Sequence, residues 1–225
     1  MDQTLSPEVT ENLIAFNDER SRVYALVSRC FEREMDADLA AQIARAGAFA
    51  SDDEGLTAAF SALQADVAGV DDAGLEELAV VFDRVFFGMG PRTAQKAFPY
   101  ESVYTSEKGL MMQDAFAAVK RVYAAASFTK NPEFKEPEDH VAVELAFMAR
   151  RCEQAAEALR AGDADTAEEL LRGQQAFLAE HLLNWFDRFS ADMEHAAEGG
   201  FYAHLAAFTR AFLSADAAAL AEVVA

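Results

Sequence analysis

The chain has 225 residues, 52% of them hydrophobic, and a formal charge of −20 set by 39 acidic against 19 basic side chains. A chain this long and this apolar buries roughly 70–75% of its unfolded surface and folds without staples, which excludes disorder. The negative field repels phosphate backbones and anionic headgroups, so nucleic acid is excluded as a partner, while a cationic ligand such as a peptide with adjacent arginines is attracted.

Apolar residues recur at three- and four-residue steps, and the few prolines and glycines fall between these stretches, so the predicted fold is all-α. Ser6-Pro7-Glu8 supplies an N-cap and a first-turn proline for a first helix with the stripe Leu13, Phe16, Val23, Val27 and Phe31. Leu39 and Ile43 mark a second helix, Leu56, Phe60, Leu63 and Val67 a third, and Leu75, Leu78, Phe82, Val85 and Phe86 a fourth that ends near Gly88. Residues 88–106 lose the period and hold two of the five prolines, so they form the longest irregular segment and a place to look for function.

A helix over 107–126 follows, with Leu110, Met112, Phe116, Val119 and Tyr123 on or near its inner side, and then a second break over 127–136. Val141, Leu145, Met148, Cys152, Ala155 and Leu159 trace the cleanest core-facing seam, which Gly162 stops. Leu170, Phe177, His181, Trp185 and Phe189 mark another helix. A last pair is marked by Phe201, Leu205, Phe208 and Phe212, then by Leu220 and Val223. The expected architecture is a single bundle of about nine or ten helices over residues 1–225, with a possible hinge near 127–136 that would permit exchange of helices between subunits. The oligomeric state is left open.

Several chemistries are set aside by pattern. Cys30 and Cys152 stand far apart, so neither a disulfide framework nor a zinc site is indicated, and both read as small buried residues. No histidine follows a glutamate by three residues, so a di-metal bundle lacks its ligands. Phosphate-binding glycine loops and the G-x-S-x-G elbow are missing as well. No catalytic residue, metal or cofactor is therefore expected, and with neither a leader-like N-terminus nor a long apolar run the expected location is the cytoplasm, without membrane insertion.

Two segments remain. Pro99-Tyr100-Glu101-Ser102-Val103-Tyr104 lies in the long irregular stretch, and Glu136-Pro137-Glu138-Asp139-His140 opens the cleanest helix. Proline and acids in a first helical turn match its free amides and positive dipole end, which is a sufficient structural reason for the second segment. His140 is the exception, because a cationic ring there opposes the dipole, and Glu144 one turn on would offset it. Asp139 and His140 lie toward the margins of the seam, near solvent or a cleft.

These residues carry a resemblance. The run EPEDHVAVELAFMARRC is similar to the signature helix of the TorD/DmsD family, and PYESVY resembles that family's loop. The run Phe177, His181, Leu182, Trp185 and Phe189, and the pair Phe201-Tyr202, follow in the family's order, so the resemblance covers about residues 80 to 213. It implies an all-helical, non-enzymatic chaperone that binds the twin-arginine leader of a molybdopterin oxidoreductase catalytic subunit and holds back export until the cofactor is inserted. It also implies a leader site formed by Glu101, Ser102, Tyr104, Glu136, Asp139, His140 and Glu144, with Phe87 or Phe98 as groove walls, although ordinary core is the favoured reading of Phe87. On that basis Asp139→Ala with His140→Ala weakens leader binding and leaves melting nearly unchanged. The alternatives are an acidic helical adaptor for a basic protein, a nucleotide-binding protein or enzyme of this fold, and the nitrate-reductase type of assembly chaperone. The client itself is not written in the chain.

Overall fold

In the computed structural model, which describes residues 6–47, 53–88 and 96–224, α-helices make up the architecture and no strand occurs among the described residues. Helix α1 (Pro7–Glu32) opens as expected, with the Ser6 hydroxyl accepting from Val9 N at 3.3 Å. Helices α2 (Ala37–Arg45), α3 (Glu54–Val67) and α4 (Asp72–Phe82) each start at an aspartate whose carboxylate accepts a first-turn amide. A π turn, Asp83–Phe87, ends at Gly88, whose φ of 65° is the left-handed value a helix C-terminus favours.

The chain resumes with the short helix α5 (Glu101–Thr105), then α6 (Asp114–Ala125), α7 (Val141–Arg160), α8 (Ala164–Phe177), a second π turn (Leu178–Leu182), α9 (Phe186–Ala197) and α10 (Phe201–Val223). Helix α7 lies along α1 and is buried over most of its length, with the expected seam of Val141, Leu145, Met148, Cys152, Ala155 and Leu159 inside. One apolar cluster runs from Val23 of α1 to Leu220 of α10, so elements from both ends of the chain share a core. Within it, Arg20 of α1 meets Asp216 of α10 in a two-pronged pair at 2.5 and 3.0 Å. Tyr24 donates to the same carboxylate at 2.6 Å, and Gln174 of α8 and Asn17 accept from the guanidinium. A buried ion pair with every prong used fixes how α1, α8 and α10 pack.

Four expectations are corrected. The segment 101–105 is helical rather than irregular, while residues 89–95 of that stretch lie outside the described residues. The helix expected from 107 begins only at Asp114, because Gly109 and Met112 take φ values of 59° and 57° and an α-helix cannot pass through left-handed residues. Leu110 and Met112, expected inside, are therefore exposed. The helix expected over 170–189 is interrupted by the second π turn, where Leu183 N reaches five residues back to Leu178 O at 2.9 Å. The last pair of helices is one continuous helix of 23 residues, α10.

Both cysteines are buried free thiols, and burial pushes each up to about 12, so neither thiolate is available for chemistry. Among the described residues no helix is long and apolar enough to cross a membrane.

Candidate functional site

The segments PYES and EPEDH meet backbone to backbone. Pro99 O accepts from Val141 N at 2.9 Å, which satisfies the first amide of α7. In return Asp139 O accepts from Glu101 N at 2.9 Å, and the Asp139 carboxylate accepts from Ser102 N at 3.1 Å. Tyr100, which precedes α5, offers no side-chain cap, so the carboxylate of a residue 37 positions away does that work. Two helix starts thus cap each other, which explains physically why these two short patterns occur in one chain.

His140 caps α7 itself, its Nδ1 accepting from Ala142 N at 3.1 Å. The ring is packed between Tyr100 and Phe134, and burial, with Lys130 adding to it, pulls its pKa down to about 3. A neutral imidazole accepting at an N-terminus does not oppose the dipole, which removes the conflict expected from a cationic ring. The expected placing of Asp139 and His140 near solvent is likewise overturned, since their exposures are 0% and 4%, and with it the expectation that replacing both by alanine leaves melting nearly unchanged. The margin of the α7 seam is covered because the Tyr100 and Phe134 rings pack on His140 and the start of α5 bonds to Asp139.

Behind this cap lies a polar cluster. Glu101, at 2% exposure, contacts His181 Nδ1 at 3.0 Å through one oxygen and accepts from Asn184 at 2.9 Å through the other. Glu144 is fully buried and accepts from the Trp185 indole at 3.2 Å. Burial raises its carboxyl well above the usual range, and the negative charges of Glu101 and Asp139 add to the shift, which favours a retained proton, while its second oxygen has no partner. Burial raises Asp139 as well, against the hydrogen bonds from Ser102 that pull it down, and one Asp139 oxygen has no partner. Ser102 is buried, and its hydroxyl accepts from Gln113 N at 3.0 Å.

Two of the sequence-predicted residues remain reachable from outside. Tyr104 is half-buried, its ring tilted on Trp185 at 5.4 Å with the Arg188 guanidinium 5.9 Å from its centroid, and its hydroxyl donates to Asp192 at 2.9 Å. Glu136 is half-buried and accepts from the Tyr100 hydroxyl at 2.6 Å. Phe98 is half-buried beneath the Lys96 ammonium, and Phe87 is 53% exposed, so Phe87 is not a core residue.

The tertiary structure adds His181, Asn184, Trp185 and Asp192 to this neighbourhood as partners of Glu101, Glu144 and Tyr104. The four-residue steps Phe177, His181 and Trp185 place the latter two on one helical face, yet nothing in that spacing says which carboxylates face them. The tertiary packing decides it, by setting the His181 ring against Glu101 and the Trp185 indole against Glu144.

Comparison with known proteins places the chain beside others of related sequence. Residues 49–191 match the family model described as nitrate reductase delta subunit. The chain is 30% identical over 219 residues to the chaperone protein TorD of Photobacterium profundum, covering 93% of this chain and 98% of that protein. It is 28% identical to TorD of Shewanella pealeana, with 88% of each chain covered, and 26% identical to TorD of Escherichia coli O7:K1, with 86% and 92% covered.

Proposed function

The chain belongs to the TorD chaperone family, a family of chaperones rather than enzymes, and from that premise we propose that it matures a molybdopterin oxidoreductase in the cytoplasm. In this reading it binds the twin-arginine leader of the catalytic subunit and supports cofactor insertion before export. The observation that carries the reading is the mutual cap: the two segments that mark the resemblance join over a cluster of three buried or nearly buried carboxyls, Glu101, Asp139 and Glu144.

Glu136 and Tyr104 are the outer contacts. A guanidinium presents a planar fork that matches a carboxylate in two-pronged fashion and stacks on an aromatic face, so a leader arginine suits both. Glu101, Ser102, Asp139, His140 and Glu144 are enclosed; they hold the wall in shape, and they meet the leader directly only where α5 parts from the start of α7. The net charge of −20 favours encounter with a cationic segment.

The test is co-purification of this chain with the precursor of a molybdopterin oxidoreductase, run beside the same precursor with both leader arginines replaced by glutamine. Capture of the first and loss of the second is the expected result. Equal capture of both would overturn leader recognition. The description of the matching family model favours one second reading, a nitrate-reductase-type client, and the identity of the precursor retained decides between the two.

A further inference from the structure

Helix α5 is attached to the rest of the molecule mainly through polar groups. Its buried residues are Glu101 and Ser102, while Val103 and Tyr104 are half-buried and Thr105 is exposed. Glu101 N and Ser102 N donate to the carbonyl and the carboxylate of Asp139, the Glu101 carboxyl contacts His181 and Asn184, and the Tyr104 hydroxyl donates to Asp192. Of its five side chains, Tyr104 is the one that packs against the apolar cluster. Five residues are too few for a helix to hold itself, and a segment secured by hydrogen bonds rather than by apolar packing opens locally, at less cost than global unfolding.

What α5 covers disfavours the closed form. Asp139 and Glu144 are fully buried, and Asp139 Oδ1 and Glu144 Oε1 have no hydrogen-bond partner. A buried acceptor left unpaired costs free energy that contact with water restores. The groups facing Glu144 are the Glu101 carboxyl from α5, the Asp139 carboxyl at the start of α7, the Tyr123 phenol from α6 and the Trp185 indole N–H, with the His181 ring behind Glu101. None of these is a lysine or arginine, so a charge on Glu144 in the closed form would meet two carboxyls and no fixed cation. Burial and those two neighbours keep its proton in place. Lifting α5 takes Glu101 away and admits water, and the Glu144 carboxyl can then ionise.

We propose that α5 is a latch coupled to one proton: closed, it keeps Glu144 protonated, and open, it releases that proton and bares the carboxyl cluster to a cation. This rests on the function proposed above and adds its regulation, since occupation of the opened site by an arginine then releases a proton. The sign follows from the linkage. The closed form binds the proton and the open form does not, so a rise in pH loosens the latch, by at most about tenfold in the open-to-closed ratio per pH unit for one proton. Linkage is reciprocal, so affinity for the cation rises over the same pH range.

Hydrogen exchange of the full chain between about pH 5 and 8 tests the latch without any peptide, once rates are corrected for the intrinsic pH dependence of amide exchange. The Ser102 amide should open more readily than the Met148 amide in the middle of α7, and its opening constant should rise roughly two- to tenfold per pH unit in wild type. In Glu144→Gln, which keeps an acceptor for Trp185, the constant should be flat. His181→Gln removes the imidazole that touches Glu101 and should keep the rise; its loss there would assign the proton to the imidazole and overturn the assignment to Glu144. The latch is also overturned if Ser102 opens only together with Met148, if its opening does not depend on pH, or if the rise survives Glu144→Gln. A synthetic peptide with two adjacent arginines, titrated calorimetrically in buffers of differing ionisation heat, should release up to about one proton per peptide bound to wild type and none with Glu144→Gln. Binding by wild type without proton release would break the link between site and latch. Failure of wild type to bind the peptide would instead remove the leader reading, and exchange alone would then judge the latch.

Discussion

The double variant Asp139→Ala with His140→Ala should destabilise the protein strongly. Loss of the Asp139 carboxylate leaves the buried Ser102 amide without its acceptor, which costs about 1–3 kcal/mol. Loss of the His140 ring removes the α7 cap for about 1 kcal/mol more, together with edge contacts to Tyr100 and Phe134 at 5.2 and 5.0 Å. The unpartnered Asp139 oxygen works the other way, because its burial is relieved. The net expectation is roughly 3–5 kcal/mol, which for a domain of this size lowers Tm by roughly 6–20 °C. Differential scanning calorimetry of both variants and wild type measures it. Asp139→Asn with His140→Asn keeps an acceptor at each position and should lose no more than about 1 kcal/mol. An alanine variant melting within about 2 °C of wild type would refute the mutual cap, and with it the reason for the two patterns.

Glu144→Gln tests the buried carboxyls through pH. The folded-state pKa of Glu144 is raised above its unfolded value, so the folded chain holds a proton that the unfolded chain releases, and stability falls as pH rises from the ordinary carboxylate range through the folded value. The glutamine variant, which can still accept from Trp185, should gain on wild type as pH rises from about 4 to 8, and urea titrations at both pH values check this. A constant difference between the two proteins would show that Glu144 titrates normally. Asp216→Ala leaves the Arg20 guanidinium buried without its main partner, and should cost about 3–5 kcal/mol by denaturant melts. Less than about 1 kcal/mol would mean that the α1–α10 clasp contributes little. Leader affinity should fall with added salt, because part of the attraction is Coulombic, and isothermal titration from low to physiological ionic strength reads the slope. A flat profile would assign binding to apolar contacts alone.

Periodicity made most of the helices legible. The α1 start at Ser6-Pro7, the end of the first π turn at Gly88 and the α7 seam from Val141 to Leu159 all stand where local rules put them, because caps, left-handed glycines and core stripes are decided within a few residues of chain. The same rules failed where a distant partner intervenes. Helix α6 starts late because Gln113 N and Leu110 N are taken by the hydroxyls of Ser102 in α5 and Ser106 just after it, and α8 and α9 separate because a π turn rewinds the chain. The acidic residues of EPEDH were readable as a helix start, but not that one of them caps α5.

What the sequence determined by itself, then, is an acidic all-helical chaperone of a recognisable family, since composition, helical period and short patterns are properties of neighbouring residues. Only the tertiary structure decided that Glu101, Asp139, His140 and Glu144 face inward while Glu136, Tyr104 and the Leu110–Met112 turn face out. Burial depends on which distant element packs over a residue, and here α5, five residues long and held by the carboxylate of Asp139 from 37 residues further along the chain, carries Glu101 inward and leaves Tyr104 half-buried.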